Sequence, residues 1–287
     1  MAVLMLVAPL TSLASVGCQG EPLKWYNPFK PAALPDADTA FTDISLVDAT
    51  PVSASAQPRV FRVELSILHV KVPHSDMGVM QAVWNHLRED VLDSDTQLLL
   101  QRNGLRIGAG HVDDWPAIKA IFDGIEGSIV NQAPPMRLPE WVPLDLELDL
   151  APAPHMIFFL DRDGILSGAQ WPNCRKYFKI AHAIDRRYPD RIHLRVMPQV
   201  RQKVIGKRWL RTPMGWSEVA TYDGRSYPEL AFKVELQAEQ FLLLAPGKSA
   251  DVAGLIGHVF MTEQLDDGDY DSYIFIRPTI QESTPLN

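Results

Sequence analysis

The sequence predicts an α+β protein: a βαββα module followed by a mainly antiparallel, β-rich domain. Three observations carry this prediction. Apolar and polar residues alternate along 61–67, 144–150 and 230–236, the period of a strand with one buried face. Apolar residues recur at spacings of three and four along 79–91 and 118–125, the period of a helix that buries one side. Asn103-Gly104 stands between two leucine-bearing runs, a hairpin signal because a type I′ turn needs positive φ at both central residues.

The first strand starts near Arg59. Phe61, Val63, Leu65 and Ile67 are its apolar set, and the parity then changes to Leu68, Val70 and Val72. One extra residue near Ile67-Leu68, a β-bulge, accounts for the change. Ser75 or Asp76 caps the next helix, whose inner face holds Val79, Met80, Val83, Trp84, Leu87 and Val91. Leu98 and Leu100 enter the hairpin at Asn103-Gly104, and Leu105 and Ile107 leave it. Asp113 or Asp114 caps a second helix with Pro116 in its first turn and Ile118, Ile121, Phe122 and Ile125 facing inward. This module spans 58–130. The link Gly127–Pro143 carries Pro134, Pro135, Pro139 and Pro143, and marks the start of the second domain, 131–287.

In that domain Leu144, Leu146, Leu148 and Leu150 alternate with Asp145, Glu147 and Asp149. Alternation spreads these acids about 7 Å apart on a solvated face, without the turn of a calcium loop. Met156 to Asp161 is a short strand, Arg162-Asp163-Gly164 a hairpin tip, and a strand follows from Ile165. Asn173 caps a helix with Cys174, Phe178, Ala181 and Ile184 on one face. Ile192 to Val200 is a strand. Gly206 to Tyr227, with Trp209 and Trp216, reads as a long loop of the kind that binds partners or ligands. Leu230 to Leu236 alternates, Phe241 to Leu244 is a buried run, and Ser249 caps a short helix holding Val252, Leu255, Ile256 and Val259. Asp266-Asp267-Gly268-Asp269 is a turn, and Tyr273 to Ile276 is a last strand, stopped by Pro278.

The totals narrow the function. The formal charge of -8 argues against a nucleic-acid partner, which calls for a basic patch that releases phosphate counterions. The basic residues that exist cluster in the middle, Arg186 to Arg211, as a solvated face or a contact for an acidic partner. Two cysteines, Cys18 and Cys174, make neither a disulfide scaffold nor a cysteine-rich zinc site. His182 and His193 lack ligand spacing. The residues imply no cofactor, no metal site and no catalytic constellation.

The front of the chain implies a location. Ala2 to Val16 is apolar or small, and no charge precedes Glu21. That is too short to span a bilayer comfortably and has the length of a signal h-region. It ends Leu13-Ala14-Ser15-Val16-Gly17-Cys18, which resembles the bacterial lipoprotein signal, with Ser15 where leucine is usual. The resemblance implies a signal segment at 1–17, cleavage before Cys18, and lipid attachment at Cys18. Residues 18–57, rich in Pro, Ala, Asp, Ser and Thr, then form a disordered tether. The whole chain has the look of an uncharacterised bacterial lipoprotein family.

Two further resemblances bear on function. Phe158-Phe159-Leu160-Asp161-Arg162-Asp163-Gly164-Ile165-Leu166 resembles the first motif of the haloacid dehalogenase phosphatases. It implies a magnesium-dependent enzyme with Asp161 as nucleophile and Asp163 as acid/base. The last third is similar to the C-terminal module of secretins at Leu194-Arg195-Val196-Met197-Pro198, Phe241–Leu244, Gly254-Leu255-Ile256-Gly257-His258-Val259-Phe260 and Tyr273-Ile274-Phe275-Ile276-Arg277-Pro278. The glycine- and valine-rich barrel core of that family is not evident here. The leading expectation is a lipid-anchored cell-envelope protein without catalytic activity. It would be a structural, assembly or binding subunit of a secretin-like envelope complex, with the membrane, other envelope proteins and further copies of itself as partners. The alternative is the phosphatase.

Overall fold

The computed structural model describes residues 60–283, apart from 140, 141, 150, 186, 213 and 214. The signal segment, Cys18 and the tether lie outside the described residues. In chain order the strands are β1 (Val60–Pro73), β2 (Leu105–His111), β3 (Ile129–Gln132), β4 (Met136–Leu138), β5 (Leu144–Glu147), β6 (Ala153–Leu160), β7 (Leu166–Ile184), β8 (Arg191–Thr212), β9 (Gly215–Ser226), β10 (Phe232–Gln237), β11 (Gln240–Pro246), β12 (Thr262–Leu265) and β13 (Gly268–Ser283). The α-helices are α1 (Gln81–Trp84), α2 (Ser94–Arg102), α3 (Trp115–Asp123) and α4 (Ile256–Met261).

The strands form two antiparallel sheets. The first runs β2-β11-β13-β1-β3, with β4 also on β1 and β12 also on β13. The second runs β10-β8-β7-β5, with β6 also on β7 and β9 also on β8. The α+β class and the dominance of antiparallel strands therefore hold. The order within the first module does not, because 60–123 reads βααβα. The first sheet also crosses the boundary expected near 130: β1 and β2 hydrogen-bond to β13 and β11, which come from the far side of it. The proline-rich link supplies β3 and β4, which pair with β1.

The parity change in β1 needs no bulge. Its register with β13 runs unbroken from Val60 opposite Ser283 to Pro73 opposite Tyr270. The two faces instead serve two cores. Val63, Leu65 and Ile67 join Leu242, Leu244, Ile274 and Ile276 in a core facing the second sheet. Val70 and Val72 join Phe241, Leu243, Tyr273 and Phe275 in a core on the opposite face. Val83 and Trp84 from α1, Met80 just before it, and Ile118 and Phe122 from α3 roof that second core. Trp115 meets Phe241 and Phe275 edge-on at 6.1 and 5.2 Å, the preferred aromatic geometry. Helices α1 and α3 thus cover one face of the first sheet, while Leu99 and Leu100 of α2 and Ile256 and Phe260 of α4 pack with the second sheet in the core on its other face.

Four other expectations are corrected. The helix over 79–91 shrinks to α1, because Arg88 leaves it to exchange backbone hydrogen bonds with Ala109. Leu98 and Leu100 belong to α2, which Asp93 caps by accepting from Thr96 N at 2.9 Å. Asn103-Gly104 therefore ends a helix rather than turning a hairpin, with Gly104 at φ +78° as the left-handed residue past the cap. The helix expected at 174–184 is strand β7: Cys174, Phe178 and Ile180 face the core between the sheets at every second residue. Pro278 does not stop β13. It pairs with Leu65 on one side, and the ladder with β11 has already ended at Ile276, so the missing N–H forfeits no ladder bond there.

Asn103 ties the layers together. It is fully buried, and its side chain donates to Leu99 O at 2.9 Å and Leu160 O at 2.8 Å while accepting from Leu160 N at 2.7 Å. Its own carbonyl accepts from Gly257 N at 2.8 Å. That joins the end of α2 to the end of β6 and the start of α4. The approach is close enough that a Cβ on Gly257 would lie 2.2 Å from the backbone of Gly104.

Candidate functional site

A cleft of about 880 Å³ opens where the β12–β13 hairpin, the end of β1, β6 and β7 meet. Its polar lining is His74, Asp149, His155, Lys176, Asp251, His258, Glu263 and Asp269. The chain brings these together from almost its whole described length. Lys176 takes an inward slot of β7, in the same alternating set as Cys174 and Phe178, and is buried. It is fully engaged: Nζ lies 3.0 Å from Asp149 Oδ1 and donates to Val259 O at 2.7 Å. Asp149 Oδ2 in turn accepts from Lys176 N at 2.6 Å. Lys71, also buried, pairs with Glu263.

Behind this wall Asp271 is 1% exposed and its Oδ2 sits 3.0 Å from His74 Nδ1. The hydrogen bond to Asp271 raises the His74 pKa, with nearby carboxylates adding to it. Burial pushes the Asp271 carboxyl up, against the pull of His74. His155 is held down, first by burial and then by the charge of Lys176. His258 Nδ1 lies 2.8 Å from Ala250 O, so that nitrogen is the donor and carries the proton.

Acids outnumber lysines in this lining, and three imidazoles, Thr262 and Gln264 complete its polar part beside apolar residues such as Met156 and Val259. Such a surface suits a cationic or hydrogen-bonding small ligand. It offers little to covalent chemistry. Thr262 Oγ1 donates to His258 O at 2.7 Å. Cys174, behind the cleft, is fully buried, and burial pushes its thiol up to about 11. Among the described residues no group of three or more His, Cys, Asp or Glu is placed to hold a metal ion.

The phosphatase-like motif lies elsewhere. Asp161 to Ile165 is the turn of an antiparallel hairpin, Leu160 pairing with Leu166. Asp161 O accepts from Gly164 N at 3.1 Å, Asp161 Oδ1 accepts from Ile165 N at 2.8 Å, and Gly164 has φ +79°. The first carboxylate thus closes its own turn, and the two acids flank a tip rather than ending a parallel strand over a cleft. Asp266-Asp267 is likewise a turn, between β12 and β13, with Gly268 and Asp269 already paired in β13.

The region 206–227 is a correction of a different kind. Instead of a loop it is β-structure, the outer half of β8 and all of β9. The basic middle splits there. Arg201 is buried, 2.7 Å from Asp145 and stacked between Tyr177 and Tyr222. Lys203, Lys207 and Arg211 stay exposed on the projecting ribbon with Trp209 and Trp216. One signal for the cleft was present in the sequence: Asp271 shares the alternating set of Tyr273 and Phe275, as Lys176 shares that of Phe178 and Ile180. A charge in a core slot demands a partner.

The chain matches no protein-family model and no curated protein. Among solved structures it has a weak likeness to the Klebsiella pneumoniae type II secretion system outer membrane complex of PulD, PulS and the PulC HR domain. The identity is 11% and the TM-score 0.22, over 80% of this chain and 41% of that one. The chain thus spans less than half the length of that neighbour, and a likeness at this score carries no argument. No helix among the described residues is long and apolar enough to cross a membrane.

Proposed function

We propose that the protein is a lipid-anchored component of the cell envelope that works by contact, as an assembly or binding subunit, rather than by catalysis. The observation that carries this reading is Val16-Gly17-Cys18 at the end of an uncharged apolar run, ahead of a body whose first described strand starts at Val60. A lipid on Cys18 followed by a polar, proline-rich stretch holds that body off the bilayer surface. The arrangement of Asp161 and Asp163 on a hairpin tip supports contact over phosphoryl transfer, since the aspartates of a phosphatase must converge on one substrate position.

The partners we infer are the membrane, through the anchor, and other envelope proteins or further copies of this chain. The test is metabolic labelling with a fatty acid, followed by fractionation. The wild-type chain incorporates label and sediments with membranes, and Cys18→Ala does neither. An unlabelled wild-type chain recovered in the soluble fraction overturns the anchor. Magnesium-dependent phosphatase turnover that Asp161→Asn abolishes overturns the non-catalytic reading.

A further inference from the structure

The outer half of β8 leaves the body. As far as Arg201, β8 is flanked by β7, and as far as Val196 also by β10. Beyond Arg201, among the described strands, it pairs with β9 alone, out to Thr212 opposite Gly215. Register shifts between Arg201, Val204 and Gly206 bend the ribbon where it departs. Eleven residues at about 3.3 Å each make an arm of about 36 Å.

Its chemistry differs from that of the body. Residues 202–223 hold Lys203, Lys207, Arg208 and Arg211 against only Glu218 and Asp223, in a chain of formal charge -8. Trp209 faces Glu218 across the ribbon, Arg211 faces Trp216, and Lys207 faces Ala220. Directly opposite residues share a face, so both tryptophans, diagonal neighbours near the tip, stand on the same side as Lys207, Arg211 and Glu218, the last an ion-pair partner of Lys207 at 2.7 Å. Trp209 is 64% exposed and Trp216 is 68% exposed. A two-stranded ribbon is marginal by itself in water, and an exposed tryptophan pair is unusual on a soluble surface.

We infer that this arm docks on an anionic lipid surface. Tryptophan flanked by lysine and arginine is the residue set that settles at the headgroup level of a bilayer, the ring at the interface and the cations on lipid phosphates. Charge complementarity selects an anionic surface over a neutral one. The acidic body does not forbid the approach: the arm is several times the Debye length of about 8 Å at physiological salt, so the tip meets the lipid while the body's repulsion is screened. The arm does not cross the bilayer. Neither of its faces is uniformly apolar, and an arm whose outer edges carry no ladder with another described strand is unsuited to hydrocarbon. This extends the membrane-facing reading above but does not depend on the lipid at Cys18.

The test uses the full chain carrying Cys18→Ala, so that no acyl chain contributes. It is sedimented with phosphatidylcholine vesicles and with vesicles in which part of that lipid is phosphatidylglycerol. The expected result is binding to the anionic vesicles alone, weakening as salt rises. Lys207→Gln with Arg211→Gln weakens it about 25-fold, each cation contributing about fivefold. Trp209→Ala with Trp216→Ala weakens it by at least about tenfold while leaving the thermal melt in place, since both rings are solvent-exposed. Equal binding to neutral vesicles, no binding by the folded chain, or binding indifferent to these four substitutions overturns the inference. So does an arm that captures an acidic protein or a second copy but no lipid. Because Cys18 is absent from the experiment, failure here leaves the labelling result untouched, and the reverse also holds.

Discussion

Strands β13 and β8 are the sheets' long members, 16 and 22 residues, and they are used in opposite ways. β13 lies between β11 and β1, with Tyr273 and Phe275 packed under the helices and Ile274 and Ile276 packed toward the second sheet. β8 is covered as far as Val200, then runs on into solvent with one neighbour. The comparison teaches that strand length here reports two different things. In β13 it reports two cores sharing one ladder. In β8 it reports a core strand with a contact element spliced onto its end.

That contrast can be broken by substitution, starting with the largest effect. Gly257→Ala drives a Cβ into the backbone of Gly104 and Asn103, where nothing can yield cheaply. It should cost about 3 kcal/mol or more in a denaturant melt. Gly206→Ala, in the arm, meets nothing within 4 Å and should move the same melt by less than about 0.5 kcal/mol. If the two shifts are alike, the arm is not separate from the packed body.

Leu242→Ala, beside β13, removes a fully buried side chain and should cost about 2–5 kcal/mol. Asn103→Ala should cost about 2–3 kcal/mol, because it removes the partner of the half-buried N–H and C=O of Leu160 together. A cost near zero at Asn103 would mean that α2 and β6 are joined by packing alone.

A pH titration sharpens the same comparison. His69 on β1 bonds Ser272 Oγ of β13 at 2.9 Å, and burial, with Lys71 second, lowers its pKa from 6.5 to about 4. The unfolded chain therefore binds the extra proton first. Stability attributable to His69 is complete above pH 6.5, falls as the pH drops toward 4, and changes no further below that. His69→Gln should flatten this part of the curve. His74 has the opposite sign: its pKa is raised by Asp271, so its contribution is present in acid and fades as the pH rises through the folded value. The smallest effect is Trp209→Ala, which should leave stability within about 0.5 kcal/mol of wild type in a thermal melt.

How much of this was legible depends on how many faces each segment buries. β10 was plain in Phe232, Val234 and Leu236, because only one face is covered. β1 misled through its parity change, since a two-faced strand has no single alternating set. β7 hid its alternation by placing Lys176 and His182 in core slots, leaving an accidental three-and-four spacing to suggest a helix. Asn-Gly serves a helix cap as well as a hairpin, and the leucines before it fit either. The arm shows weak periodicity because its apolar residues Ile205, Trp209 and Trp216 meet water rather than a core. The cleft could not be assembled in advance: His74, Lys176 and Asp271 become neighbours only through pairings that span most of the described chain.

The unbroken register of β1 with β13 has a consequence for how the molecule is made. The first described strand finds its partner in the last, and that partner fills a middle lane of the sheet. Until β13 emerges, β1 and β11 flank an empty track lined with apolar side chains and unpaired backbone. Contacts of such long sequence separation form slowly. A chain still lacking β13 would expose that track, and a peptide with the sequence of β13 added during refolding is expected to occupy it and slow recovery of the native sheet.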